Sequence, residues 1–158
     1  MQLTRYSDYS LRVLIFLALH REERATTDQI ARAYDISAPH LAKVVKSLAQ
    51  AGYIESVRGR HGGMRLALPA EEIVLGDVVR FSEERFALVE CFDPETSGCC
   101  IEEACGLARV LDEALRAFLS VLDRYTLADA VRRRSALRKL LQIGEPPRRG
   151  AGRGALAR

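Results

Sequence analysis

The sequence predicts a mostly α-helical chain with one small β-hairpin, and three observations predict it. Apolar residues recur at helical spacing over segments of the first fifty residues and again over a long stretch after residue 106. Between them, at 53–68, the pattern shifts toward alternation around a glycine-rich turn. Capping residues and glycines punctuate the joins. With 158 residues, 48% hydrophobic and 28% charged, the chain has an ordinary globular composition that can bury one or two small cores.

Taken in order, residues 9–19 place Leu11, Leu14, Ile15, Ala18 and Leu19 on one helix face. The apolar stretch Val13 to Leu19 is flanked by Arg12 and His20, far short of the roughly 20 residues of a membrane span. No small-residue cleavage pattern ends it, so we expect no membrane association and no secretory signal, and a cytoplasmic protein. Thr27 stands at a cap position before a short second helix with Ile30, Ala31 and Tyr34, which stops near Asp35. Ser37 caps a third helix with Leu41, Val44, Val45 and Leu48 inward, and Gly52 sits where a left-handed C-terminal residue is expected. Strands at 53–57 and 64–68 then flank Arg58-Gly59-Arg60-His61-Gly62-Gly63.

Two short helices across the 35–37 turn, followed at once by a basic hairpin, make a winged helix-turn-helix DNA-binding domain, which we assign to residues 1–80. Pro39, His40, Lys43 and Lys46 on the outward face of the third helix, with Ser37 at its head, would enter the major groove of double-stranded operator DNA. Arg58, Arg60 and His61 on the wing would reach phosphates or the minor groove. Glu55 is the one acid between Asp35 and Glu71; a face that was merely solvated would mix signs. Residues 1–70 carry a net charge of +4, residues 71–143 a net −4 and residues 144–158 a net +3. A basic first half beside an acidic second half suggests one part that meets a polyanion and another with a different task.

In the second half, Pro69 and Glu71-Glu72 start a helix through Val79 that packs back on the first domain. Residues 81–106 form a loop that holds Cys91, Cys99, Cys100 and Cys105. From Leu107 a long helix carries Leu107, Leu111, Ala114, Phe118, Val121 and Tyr125, widened by Val110, Leu115 and Leu122. So small a protein offers little surface to cover that stripe, so residues 107–143 are expected to form a homodimer, which also suits DNA half-sites related by two-fold symmetry. Thr126 caps a further helix, Leu127 to Leu141, with Arg132, Arg133 and Arg134 on its solvated side. Residues 144–158, rich in Gly, Pro, Ala and Arg, read as a disordered basic tail.

Four cysteines within fifteen positions of a reducing compartment point to metal binding or redox sensing rather than disulfides. Zinc sites usually present paired knuckles, which this spacing matches poorly. Thiolate is the preferred protein ligand of iron–sulfur centres, and Cys91, Cys99 and Cys105 can supply three. Adjacent side chains of an extended loop diverge, so Cys100 is taken as a bystander. Nothing suggests an enzyme: there is no Cys-x-x-Cys, no phosphate-binding glycine loop and no Ser/His/Asp set, and His20, His40 and His61 all lie in the DNA-binding half.

The opening Leu3-Thr4-Arg5-Tyr6-Ser7-Asp8-Tyr9-Ser10-Leu11-Arg12, the Ile36-Ser37-x-x-His40-Leu41-x-Lys43-Val44 turn and helix, and the wing Arg58-Gly59-Arg60-x-Gly62-Gly63 resemble the IscR-type family of dimeric winged-helix iron–sulfur repressors. Val89-Glu90-Cys91-Phe92, the Cys99-x5-Cys105 spacing and the segment Leu119 to Asp129 are similar to its nitric-oxide-sensing members. The resemblance covers residues 1–135. One branch completes its ligand set with a histidine three positions after the last cysteine, where this chain has Ala108. The nitric-oxide-sensing branch instead carries an aspartate at the position of Asp8, and the resemblance implies that Asp8 ligates the cluster of the other subunit. Three thiolates and a carboxylate give one ligand per iron of a 4Fe-4S cluster, the favoured form, although a 2Fe-2S cluster fits the same four in count. The implied function is a repressor that releases operator DNA of nitric oxide detoxification genes when nitric oxide nitrosylates its cluster. A general redox or iron–sulfur-status regulator, and a zinc-stabilised DNA-binding protein without sensing, stand as alternatives.

Overall fold

A computed structural model of the chain describes residues 2–20, 24–57, 62–83, 85–93, 95, 97–101 and 104–144. Helix α1 (Arg5–Leu19) is the centre of the molecule: α3, α4, the hairpin and the helices near the C-terminus all pack on it. Its burial is accordingly wider than a stripe. Val13, Phe16 and Leu17 are buried beside Leu14, Ala18 and Leu19, while Leu11 and Ile15 are half-buried. Thr4 is its N-cap, with the side-chain oxygen accepting from Ser7 N–H.

Helix α2 (Thr27–Tyr34) starts one residue earlier than expected, because Thr26 rather than Thr27 is the cap. Thr26 and Gln29 bond each other reciprocally, the Gln29 side chain accepting from Thr26 N–H at 2.7 Å. Asp35 ends α2 with φ +52, a left-handed residue that turns the chain into α3 (Ala38–Gln50). Leu41, Val44 and Leu48 of α3 are buried and Val45 is half-buried. Gly52 has φ +82, as its place after the helix requires.

The wing is a two-stranded antiparallel sheet, β1 (Ile54–Val57) and β2 (Gly63–Leu66), shorter than the alternation suggested. Ala25 adds a bridge on its far side through two backbone bonds with Met64, of 2.9 and 2.7 Å. The tip residues Arg58, Arg60 and His61 lie outside the described residues.

Helix α4 spans Leu75–Ser82, not a helix begun at Glu71. Residues 70–75 are held instead by the chain at 125–128: Leu75 N–H donates to Tyr125 O, Leu127 N–H to Ile73 O and Ala128 N–H to Ala70 O, at 2.8–3.0 Å. A helix there would consume these groups internally. The long helix α5 runs over Gly106–Leu122, so Tyr125 belongs to the turn beyond it. The expected helix 127–141 is two: α6 (Leu127–Ala130), opened by the Thr126 cap box with Asp129, and α7 (Arg134–Leu140). The break lets Leu127 and Val131 enter the α1 core while the next segment crosses the end of α1. Arg134 is no solvated residue there. It donates to Ala18 O at 3.0 Å, and Arg138 donates to Leu19 O, so two guanidinium groups satisfy carbonyls of the last α1 turn. Among the described residues no helix is long and apolar enough to cross a membrane.

Candidate nucleic-acid interface and cysteine segment

Helix α3 exposes a face with one sign of charge. Pro39, His40, Ala42, Lys43, Lys46 and Gln50 are exposed along α3, and the helix contains no acid. Ser37 occupies the N-cap position and is exposed, but its side chain makes no capping bond. The Ser37 hydroxyl is thus left without a capping partner at the head of α3, where a helix N-terminus favours an anion. Behind this face Leu41, Val44 and Leu48 lock the helix on α1. On the wing, Glu55 and Arg65 are direct cross-strand partners with an ion pair of 2.8 Å, which occupies that arginine.

The cysteine segment leaves the end of α4 and is tied into loops. Arg85 pairs with both Asp93 and Glu95 across a single 3-10 turn, Glu90–Phe92, that carries Cys91. Glu90 Oε1 accepts from Gly98 N–H at 3.0 Å. The residue before Cys91 is therefore bonded to the residue before Cys99, which draws those two stretches together. Cys105 is the N-cap residue of α5. Cys91, Cys99 and Cys105 are half-buried thiols and Cys100 is exposed. A cleft of about 830 Å³ is lined by Cys91, Phe86, Phe92, Asp112, Leu115 and Ala108 among others. The position where a related branch has histidine thus opens on the same cleft as the first cysteine.

Among the described residues no group of three or more His, Cys, Asp or Glu is placed so as to hold a metal ion within one chain. The donor chemistry nonetheless fits an iron–sulfur centre, with three soft, partly buried thiols on one segment anchored at the 3-10 turn and at the head of α5. Asp8 sits on α1, not with the cysteines. Its carboxylate receives Arg12 in a two-point ion pair of 2.9 Å contacts, and the Arg12 guanidinium lies 5.6 Å from the centroid of the Tyr34 ring. Burial pushes the Tyr34 hydroxyl up to about 12, opposed by Arg12 and aided by Asp8.

Helix α5 has no buried residue. Its apolar surface divides: Leu111, Leu115, Phe118 and Leu122 are half-buried, while Leu107, Val110 and Val121 are 60%, 57% and 42% exposed. The helix is fastened to the rest of the chain near its end, where Arg80 of α4 grips Asp123 with two bonds of 2.6 and 2.7 Å. The Arg80 partnership holds the Asp123 carboxyl below the usual carboxylate range. Gly76 makes room for this bridge, since a Cβ there would collide with the Asp123 carboxylate. The bridge spans 43 residues, and nothing in the local sequence announces it.

A helix-turn-helix with a basic reading face, a wing and an appended long helix defines a winged-helix transcriptional regulator, not an enzyme. Residues 3–133 match the Rrf2 family of iron-dependent transcriptional regulators, and the chain belongs to that family. It is 52% identical over 146 residues, covering 92% of this chain and 100% of the relative, to the HTH-type transcriptional regulator NsrR of Bacillus subtilis. A second NsrR, from Geobacillus kaustophilus, is 52% identical over 143 residues, 90% of this chain and 97% of the relative. Among solved structures, T. potens IscR superposes with a TM-score of 0.67 at 25% identity, over 84% of this chain and 88% of the other. CymR, the global cysteine regulator of B. subtilis, gives 0.69 at 28% identity, over 84% and 98%.

Proposed function

We propose that the protein is a homodimeric, iron–sulfur cluster-dependent repressor that binds operator DNA when loaded and releases it in response to nitric oxide, so regulating nitric oxide detoxification genes. The observation that carries this is the pairing of an acid-free, cationic α3 face with three half-buried thiols on one segment of the same chain. The similarity of residues 89–92, 99–105 and 119–129 to nitric-oxide-sensing members supports the choice of signal.

Cys91, Cys99 and Cys105 would hold the cluster, with Asp8 of the second copy as the fourth ligand. When bound, the cluster supplies iron that reacts with nitric oxide. The chain's own residues do the rest. Carboxylate is a harder and weaker partner than thiolate for such iron, so Asp8 would be the exchangeable ligand. Released, Asp8 has Arg12 at hand in its own chain, as the 2.9 Å pair shows. Exchange between these partners would give Asp8 two states on α1, the helix against which α3 packs. Pro39, His40, Lys43, Lys46 and Ser37, with Arg58, Arg60 and His61 of the wing, would contact the duplex. The exposed Leu107, Val110 and Val121 of α5 would be covered by the second copy.

The test is an Asp8→Ala variant prepared without oxygen. It should still take up a cluster through the three thiols but hold it less tightly, and its DNA release should no longer track nitric oxide as in the wild type. A variant with unchanged cluster retention and unchanged response would remove Asp8 from this role.

A further inference from the structure

Glu83 ends α4 and opens the cysteine segment, yet its carboxylate is engaged elsewhere. A single oxygen, Oε1, accepts from Thr4 N–H at 2.8 Å, from the Thr4 hydroxyl at 3.1 Å and from the Ser7 hydroxyl. All three donors belong to the start of α1. Thr4 is the α1 N-cap, its Oγ1 accepts from Ser7 N–H at 3.2 Å, and its carbonyl accepts from Asp8 N–H at 3.0 Å. Ser7 is fully buried. A carboxylate at the positive end of a helix, fixed by three donors on one oxygen, is a firm attachment rather than a passing surface contact.

The attachment joins two parts that the sequence keeps 76 residues apart. On one side the chain runs from Glu83 into Arg85, whose ion pairs close the loop around Cys91. On the other side lies the first turn of α1 with Asp8, and α1 packs on α3. A change in the cysteine segment that moves the end of α4 therefore moves, or uncaps, the start of α1.

We propose that Glu83 is a positioning residue that couples the cysteine segment to the DNA-reading domain within one chain, a role that presupposes the cluster-dependent DNA binding proposed above. Glu83 holds no cluster. It sets how far the state of residues 85–105 is felt at α1 and hence at α3, through a contiguous set of hydrogen bonds and packed helices.

The experiment compares the affinities of cluster-loaded and cluster-free protein for one duplex, selected by the loaded wild type from a random-sequence pool. Wild type should show a loaded-to-free affinity ratio well above one. Glu83→Ala should keep the visible absorption of the cluster while the ratio falls by about tenfold, within the range of typical coupling between sites. Glu83→Gln keeps an acceptor for the three donors and should retain the wild-type ratio within about twofold. Should Glu83→Ala fail to fold, Ser7→Ala, which removes one donor, is read in the same way with a smaller loss. A Glu83→Ala protein that is less heat-stable but keeps the full ratio overturns the proposal and leaves a purely structural cap. Loss of the visible absorption would also overturn it, by placing Glu83 in cluster retention. A wild type with no difference between loaded and free forms would remove the functional reading itself.

Discussion

Gly63→Ala is a sharp test of how the wing is attached. Gly63 opens β2 with φ +149, a conformation that side-chain-bearing residues rarely adopt. A Cβ there would sit 2.8 Å from Arg24 Cβ and 2.9 Å from Ala25 O, and Ala25 is itself fixed by its two backbone bonds to Met64. Backbone strain of this kind costs roughly 1–3 kcal/mol, and displacing the 24–25 backbone adds about 1–3 kcal/mol as overpacking does. The stiffer unfolded chain returns about 0.4–1 kcal/mol. The net loss lies between about 1 and 6 kcal/mol and is about 3 kcal/mol at mid-range, or roughly 6–12 °C in Tm for a chain of this size. Thermal unfolding at one fixed protein concentration measures it, since dimerisation would make Tm depend on concentration. Gly52→Ala is the control: its φ is +82 but nothing lies within 4 Å, so the loss should stay near 1–2 kcal/mol. If the two variants lose the same amount, or Gly63→Ala loses less than about 0.5 kcal/mol, the close approach of the Ala25 backbone does not anchor the wing.

Other predictions follow from the same geometry. Leu127→Ala should cost about 2–5 kcal/mol in urea unfolding, because Leu127 is fully buried in the α1 core; a loss below about 1 kcal/mol would mean that α6 is not part of that core. Lys43→Gln with Lys46→Gln would remove four cations from the reading faces of the proposed dimer, so the slope of log affinity against log salt should fall by about 3.6; an unchanged slope would take α3 off the phosphates. Tyr34 is raised from 10 to about 12, so the unfolded chain ionises first and stability falls as pH rises from about 10 to 12. Tyr34→Phe should flatten the urea midpoint over that window, and an unaltered dependence would refute the assignment. Cys100→Ser should keep the visible absorption of protein prepared without oxygen, whereas Cys91→Ser, Cys99→Ser and Cys105→Ser should each lose it; the reverse result for Cys100 would redraw the ligand set.

Much of the fold was legible because it is written in local patterns. The α3 core positions Leu41, Val44 and Leu48, the hairpin around 58–63 and the Thr126 cap all follow from periodicity, glycine placement or capping chemistry. What was missed depends on partners far away in sequence. Pro69 and the acids Glu71 and Glu72 suit a helix start, but the backbone groups of residues 70–75 are used by residues 125–128. No glycine or proline marks the break between α6 and α7; it arises because Leu127 and Val131 enter the core while Arg134 and Arg138 reach the end of α1.

The candidate site divides in the same way. The outward face of α3 is a local property, read from spacing and charge. The grouping of the cysteine stretches rests on the bond between Glu90 and Gly98 and on Arg85, which pattern alone does not reveal. Glu83 had no signal of its own in the sequence, since one acid at the edge of an acidic segment looks like any other. Its role emerges only when Thr4 and Ser7 are seen to converge on it. Asp8 and its Arg12 partner stand four residues apart on one helix, a spacing the sequence shows, but the Tyr34 ring beyond them is a matter of helix packing.

The central claim is that one chain reads DNA according to the state of a thiol-held cluster. It is tested most directly by the absorption spectrum of protein purified without oxygen, recorded before and after addition of nitric oxide, with binding to the selected duplex followed in the same samples. The account predicts a broad visible band that bleaches as the DNA is released. A colourless protein that binds zinc and holds the duplex regardless of nitric oxide would contradict it.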